Sequence, residues 1–195
     1  LAANPTILAI EPHPTAFAVL QNEARRYGYV AINIACGEAP GRAELYDYGA
    51  QECGSQHASL YRDVIEKTHG REASPFQVEV TTLDRLIEAE GLREIHLLKI
   101  DTEGHELRVL QDARNSIARG LIDIIQFEFN EMNVISRVFF RDFYDVLPNY
   151  LFYRMLPNGL APMGTYRPTT CEIFAYQNIV AIRRDYFLSK ELVDG

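Results

Sequence analysis

Three short apolar runs, Thr6 to Ile10, Ile95 to Ile100 and Ile122 to Phe127, each lead straight into an acid: Glu11, Asp101 and Glu128. The first two are followed by apolar residues at helical spacing, Phe17, Leu20, Ala24 and Tyr27 after the one and Leu107, Leu110, Ala113 and Ile117 after the other. Short apolar runs bounded by turn residues suit strands, and a period near 3.6 suits helices. Gly28 and Gly120 stand where each helix has to stop, because glycine adopts the left-handed conformation that ends a helix. The chain therefore reads as β-α-β units in an α/β fold. The expected architecture is an open, mostly parallel sheet with helices on both faces and antiparallel character at its C-terminal edge. Ligands of such sheets bind beyond the carboxyl ends of the strands, which is where these acids stand.

The remaining elements follow from local patterns. Tyr29 to Ala35 reads as one strand, and Arg42 to Tyr48 and Phe76 to Thr81 alternate as strands do. With the polar, loop-like Gly49 to Leu60 between them, they suggest an antiparallel insertion. Thr82 can cap a helix that turns Leu83, Leu86 and Ile87 inward. Ile95 to Ile100 is apolar enough for a strand buried on both faces, and a single helix is expected from Glu103 to Arg119. An amphipathic stretch from Val138 to Leu147, a strand from Tyr150 to Leu156, a Pro/Gly-rich loop and a final strand from Ile173 to Ile182 complete the chain.

With 195 residues the chain fits one domain, and 47% hydrophobic against 24% charged residues excludes a disordered or low-complexity chain. The net charge of −8 repels phosphate backbones, so nucleic acid is not an expected partner. Cys36, Cys53 and Cys171 are too few and too scattered for a disulfide framework or a paired-cysteine zinc site. A reducing, cytoplasmic setting suits them. No apolar run approaches the ~20 residues of a membrane helix, and no basic flank or cleavage site marks a secretory signal. The five histidines lack metal-motif spacing, so no metal is expected. The chain lacks an initiator Met and opens almost directly on a strand, with Leu1 to Asn4 reading as the tail of a preceding helix and Asn4-Pro5 as its stop.

Several side chains carry candidate chemistry. Glu11, at a strand end before Pro12, can accept hydrogen bonds from both hydroxyls of a ribose. Cys36 and Gly37, at the end of the next strand, offer small surfaces for an adenine. The densest stretch is Leu97 to Glu106, where Lys99, Asp101, Glu103, His105 and Glu106 crowd a strand end and a helix start. Lys99 within a buried strand requires a carboxylate partner. Glu103 at a helix N-terminus should stay ionised, which suits orienting a substrate or holding a cation. Glu128, between Phe127 and Phe129, is either a base with a shifted pKa or the partner of Lys99. Asp101, His105 and Glu128 are the candidate bases.

Four segments, AIEPHPTAFAVLQNEARRYG, TTLDRLI, LLKIDTEGHELRVLQDA and IIQFEFN, resemble in order and spacing the FkbM family of S-adenosylmethionine-dependent methyltransferases, and the resemblance runs through Asn178 to Ile182. It implies a class I methyltransferase (Rossmann-like) fold and methylation of hydroxyl groups on small molecules or sugars. Glu11 would then bind the cofactor ribose, Cys36-Gly37 would border its adenine, and Asp101 would face its methionine end or the substrate. By the same resemblance Thr6 to Ile10 is the second strand. The first strand and Gly-rich loop are missing from the sequence, and about 20 to 30 residues are expected ahead of Leu1.

Two other classes fit the residues. A nicotinamide-dependent oxidoreductase would use Glu11 in the same way, although no Tyr-x-x-x-Lys pair follows the middle strands. A non-catalytic α/β binding module would engage a partner through Gly49 to Gly70.

Overall fold

The first apolar run forms β1, Leu8–Ile10, which pairs in parallel with β2, Val30–Ile32, across helix α1, Pro14–Tyr27. Pro14 occupies the first turn of α1, where its missing N–H has no helical partner to lose. Gly28 closes the helix at φ 77°, donating to the Ala24 carbonyl. Of the apolar face expected on α1, Ala24 is buried and Tyr27 is 66% exposed. The structure, a computed structural model, describes residues 5–48 and 57–186. The chain divides into two compact units between Thr81 and Thr82. The expected helix tail at Leu1 to Asn4, Cys53 and most of the loop expected at Gly49 to Leu60 lie outside the described residues.

The single strand expected at Tyr29 to Ala35 is two strands. β2 ends at Ile32, and β3, Ala35–Cys36, joins a different sheet, parallel to β5, Ala73–Thr81. Asn33 makes the break: its Nδ2 donates to the carbonyls of Glu11 (2.8 Å) and Pro12 (3.0 Å), so its side chain competes with ladder hydrogen bonding. The antiparallel insertion is present. β4, Gly41–Tyr48, pairs with β5 from Gly41 opposite Val80 to Tyr48 opposite Ala73. Ala35, Leu45 and Val78 are the buried core of this three-stranded sheet.

In the second unit Thr82 caps α2, Leu83–Ala89, its Oγ1 accepting from the Arg85 N–H at 3.2 Å, with Leu83, Leu86 and Ile87 buried. A five-stranded sheet follows in the order β6-β7-β10-β8-β9, comprising β6 (Ile95–Ile100), β7 (Ile122–Phe129), β8 (Tyr150–Leu156), β9 (Gly159–Pro162) and β10 (Gln177–Arg183). Only β6 and β7 run in parallel; the other pairs in this sheet are antiparallel. The expected mostly parallel sheet is thus a mixed one. A tight turn joins β8 to β9, and β10 enters between β7 and β8 against the direction of both, so no helical crossover is needed there. The final strand starts at Gln177 instead of Ile173 because Gln177 Nε2 donates to the Ile173 carbonyl (2.6 Å) and closes the preceding segment as a loop. β6 is not buried on both faces. It ends the sheet order, and Leu97 is 58% exposed.

The helix expected from Glu103 to Arg119 is broken in two, α3 (Glu106–Gln111) and α4 (Arg114–Ala118). Positive φ at Glu103 (51°) and Gly104 (101°) delays its start. The Asp84 carboxylate then accepts from Asn115 N (3.0 Å) and Ser116 N (2.9 Å), satisfying the N–H groups at which α4 begins anew. Two further helices, α5 (Met132–Ser136) and α6 (Phe140–Val146), follow β7. Phe127, Phe129, Phe140 and Phe143 are fully buried, with the Phe127 and Phe143 rings stacked at 4.3 Å. At roughly 1.5–3 kcal/mol per buried side chain, this aromatic cluster is a main source of the unit's stability. The chain between β9 and β10 carries one short helix, α7 (Pro168–Cys171), and Glu172 behind it accepts from Phe140 N at 2.8 Å, anchoring the start of α6.

Candidate active site

β7 alternates, with Ile125, Phe127 and Phe129 buried in the core and Gln126 and Glu128 on the half-open face. Its parallel pairing with β6 sets Lys99 opposite Gln126 and Ile100 opposite Phe127, which carries Asp101 and Glu128 to one edge of the sheet. The antiparallel β10 begins at that same edge, with Asn178 opposite Glu128. Tyr176, just before β10, and Asn178, within it, are therefore brought to the carboxyl end of β7. The Tyr176 hydroxyl donates to Glu128 Oε1 (2.8 Å), Asn178 Nδ2 donates to that hydroxyl (3.1 Å), and Gln126 Nε2 donates to Asn178 Oδ1 (3.0 Å).

Burial raises the Glu128 carboxyl above its ordinary pKa, and the negative charge of Asp101 adds to this, while the Tyr176 hydrogen bond and Lys99 pull the other way. The result is a carboxylate held in place by a phenol on a half-open face, the environment of a proton acceptor. Lys99 bonds Asp101 at 2.7 Å and acts on Glu128 through its field only. The alternative of a Lys99–Glu128 pair is not realised. Nor is Lys99 buried: its side chain is 54% exposed on an edge strand, so water shares the solvation of its charge.

The segment after β6 is a built loop. Glu106 is 1% exposed, and its Oε1 accepts from Thr102 N (2.9 Å), Thr102 Oγ1 (3.0 Å) and Gly104 N (3.2 Å). Burial pushes its carboxyl up to about 7. Gly104 holds a φ of +101°, which strains any side chain, and a Cβ there would crowd the Met132 Cβ at 3.2 Å. Glu103 sits in the left-handed bend and not at a helix N-terminus, because α3 begins three residues later. His105 stands at the N-cap position of α3, where its carbonyl, not its ring, opens the helix.

In the first unit Glu11 follows the carboxyl end of β1, half-buried, with Oε1 accepting from His13 N at 2.7 Å. Burial raises its carboxyl, and the His13 hydrogen bond opposes the rise. His13 is fully buried; its Nδ1 accepts from Thr15 N (3.2 Å), and its Nε2 faces the buried Asp47 carboxylate at 3.5 Å. This pair ties the Glu11-Pro12-His13 turn to β4. Cys36 is half-buried, and burial pushes its thiol up to about 11, leaving a neutral surface. Gly37 N donates to the Thr81 carbonyl at 2.9 Å.

Of the residues expected in the site, the structure brings Asp101 and Glu128 together in the second unit, with Glu103 and His105 in the loop that follows Asp101. Glu11, Pro12, Cys36 and Gly37 belong to the first. Sequence reasoning missed Tyr176, Asn178 and the clamping role of Glu106. Only the antiparallel register of β10 against β7 reveals the first two, whereas Glu106 was visible as one acid too many in the Asp101 to Glu106 run. Glu94, His96 and Asp123 place one ligand atom each within 4.8 Å of one another, a mixed set at the opposite end of β6 and β7. Arg183 already neutralises Asp123, at 3.1 Å, which weakens that set as a cation site.

The Methyltransferase FkbM domain matches residues 2–154, a span that runs through both units. The crystal structure of methyltransferase FkbM from Methylobacillus flagellatus KT, at 16% identity and a TM-score of 0.49, aligns with 90% of this chain and 36% of its own. The chain thus spans about a third of the length of that protein. No curated protein matches the sequence.

Proposed function

Because the chain belongs to the FkbM methyltransferase family, we propose that it is an S-adenosylmethionine-dependent O-methyltransferase of class I (Rossmann-like) fold, acting on a hydroxyl of a small molecule or sugar. The observation that carries the reading is the Glu128 carboxylate, raised in pKa and held by Tyr176 beside the Lys99–Asp101 pair at the ends of two parallel strands. An acceptor hydroxyl is a poor nucleophile until its proton is taken, and Glu128 is the base for that proton. Asp101 keeps the Glu128 carboxyl basic by its negative charge, and Lys99 holds Asp101 in place. Glu103 orients the acceptor from the neighbouring loop, and His105 is the second candidate base.

The cofactor, when bound, supplies an electrophilic methyl on a sulfonium. Glu11 suits its ribose: one carboxylate oxygen is committed to His13 N, and an ionised carboxylate has further lone pairs for two vicinal hydroxyls. Cys36, as a neutral thiol, and Gly37 suit an adenine face, and Pro12 shapes the turn after β1. Among the described residues no helix is long and apolar enough to cross a membrane. A cytoplasmic enzyme with neither nucleic-acid nor membrane partners fits the acidic composition. Calorimetric titration with S-adenosylmethionine, S-adenosylhomocysteine and NAD tests the reading. Binding of the adenosyl ligands alone supports it, and binding of NAD alone overturns it.

A further inference from the structure

We propose that Glu106 is a positioning residue: its buried carboxylate fixes the loop that carries Asp101 and, through that loop, the setting of Glu128. This rests on the reading of Asp101 and Glu128 as the methyl-transfer site. Glu106 itself is 1% exposed and touches neither acid, so it acts through the backbone.

The residues 101–105 cannot hold themselves. Left-handed φ at Glu103 and Gly104 takes the chain off any ladder or helix, leaving the N–H groups of Thr102 and Gly104 without a regular acceptor. A single oxygen, Glu106 Oε1, accepts both of them and the Thr102 hydroxyl as well. The three donors converge on one buried oxygen, so the hydrogen bonds that shape the loop are kept or lost together. Burial opposes ionisation of this carboxyl, and an apolar side chain would fill the same volume with no such desolvation cost. What the carboxylate alone supplies is the shape of the loop.

The loop is also seated on the other half of the site. Gly104 packs against the Met132 backbone so closely that a Cβ would come within 3.3 Å of the Met132 carbonyl oxygen. Met132 N donates to Asn130 Oδ1 (3.0 Å), and Asn130 N donates to Asn133 Oδ1 (2.9 Å). Asn130 Nδ2 in turn reaches Glu128 Oε2 at 3.4 Å. An unbroken series of contacts therefore runs from Glu106 through Gly104, Met132 and Asn130 to Glu128. Releasing the loop frees Asp101 on one side and removes the support of the Asn130 turn on the other.

The test compares Glu106→Gln, which keeps an oxygen acceptor at Oε1, with Glu106→Leu, which keeps only the volume. Amide hydrogen exchange is followed at Thr102 and Gly104, and methyl transfer is measured as kcat and KM separately. In Glu106→Leu the two amides should exchange at least about tenfold faster, the equivalent of one lost net hydrogen bond, and kcat should fall far more than KM rises. Glu106→Gln should restore most of both. Thr102→Val, which removes one donor and leaves no buried charge unpaired, serves if Glu106→Leu does not fold, and should show the same changes in smaller measure. Unchanged exchange at both amides, or unchanged kcat with faster exchange, overturns the proposal. If the wild-type chain transfers no methyl group, the methyl-transfer reading fails, and the exchange measurement still decides whether Glu106 holds the loop.

Discussion

The Tyr176 hydroxyl donates to Glu128 Oε1 across 2.8 Å, and it does so from a side chain that is 65% exposed. Tyr176 precedes β10, and Glu128 ends β7, 48 residues earlier. The bond opposes burial: it favours the ionised form of a carboxyl whose surroundings otherwise favour the protonated one. The carboxylate itself raises the phenol's pKa, so Tyr176 stays a donor across the working pH range.

Tyr176→Phe should move the acid limb of the kcat profile to higher pH. Loss of the donor removes a lowering influence on Glu128, so the base protonates at a higher pH and less of it is active at any pH below the limb. The shift should be a fraction of a unit, because water replaces an exposed donor in part. A pH–rate profile of the two proteins checks it, and a shift toward lower pH would take Glu128 out of the role of base.

Parts of this arrangement were legible in the sequence. Thr6 to Ile10 followed by Glu11, and Ile95 to Ile100 followed by Asp101, gave the parallel pairs β1–β2 and β6–β7, since apolar runs and glycine stops are local signals. Gly28 and Thr82 behave as their positions foretold. The two-stranded outcome for Tyr29 to Ala35 was not visible, because Asn33 bonds carbonyls 21 and 22 residues away. The break in the Glu103 to Arg119 helix has the same origin in a distant residue, Asp84, which caps its second half. The site shows the same division. Asp101 and Glu128 could be read at strand ends, whereas Tyr176 and Asn178 come to Glu128 only through the direction of β10, which no local pattern encodes.

Glu128→Gln and Asp101→Asn should separate the two acids. Removing a general base lowers kcat by roughly 10²–10⁴-fold, so Glu128→Gln should lose most of the turnover. Asp101→Asn loses an exposed ion pair with Lys99, side chains 41% and 54% exposed, worth about 0–1 kcal/mol in stability. Its melting temperature should hardly move while its rate falls. Initial rates and thermal melts of both variants check this, and full activity in a destabilised Asp101→Asn would make Asp101 structural.

Glu11→Ala should weaken adenosyl-cofactor binding by roughly 1.5–3 kcal/mol, the range for hydrogen bonds to a charged group. The domain should remain folded, because the His13–Asp47 pair still ties the turn to β4 when the Glu11 carboxylate is gone. Titration calorimetry on the variant, with circular dichroism to verify the fold, provides the measurement. Unchanged affinity in a folded variant removes Glu11 from the cofactor site.

The buried carboxyl of Glu106 gives the protein a stability that depends on pH in a defined direction. Its pKa is raised from 4.5 to about 7, chiefly by burial, with the hydrogen bonds from Thr102 and Gly104 lowering it in part. Between those values the folded chain retains a proton that the unfolded chain has released, so raising the pH favours unfolding. The contribution is complete below 4.5 and lost as the pH rises through about 7. At 1.36 kcal/mol per pKa unit the full effect is about 3 kcal/mol. Glu106→Gln has no proton to lose, so its melting temperature relative to wild type should climb steadily from about pH 5 to about pH 8. Parallel melting curves for the two proteins across that window would show that Glu106 is ionised throughout, held so by Thr102 and Gly104 against its own burial.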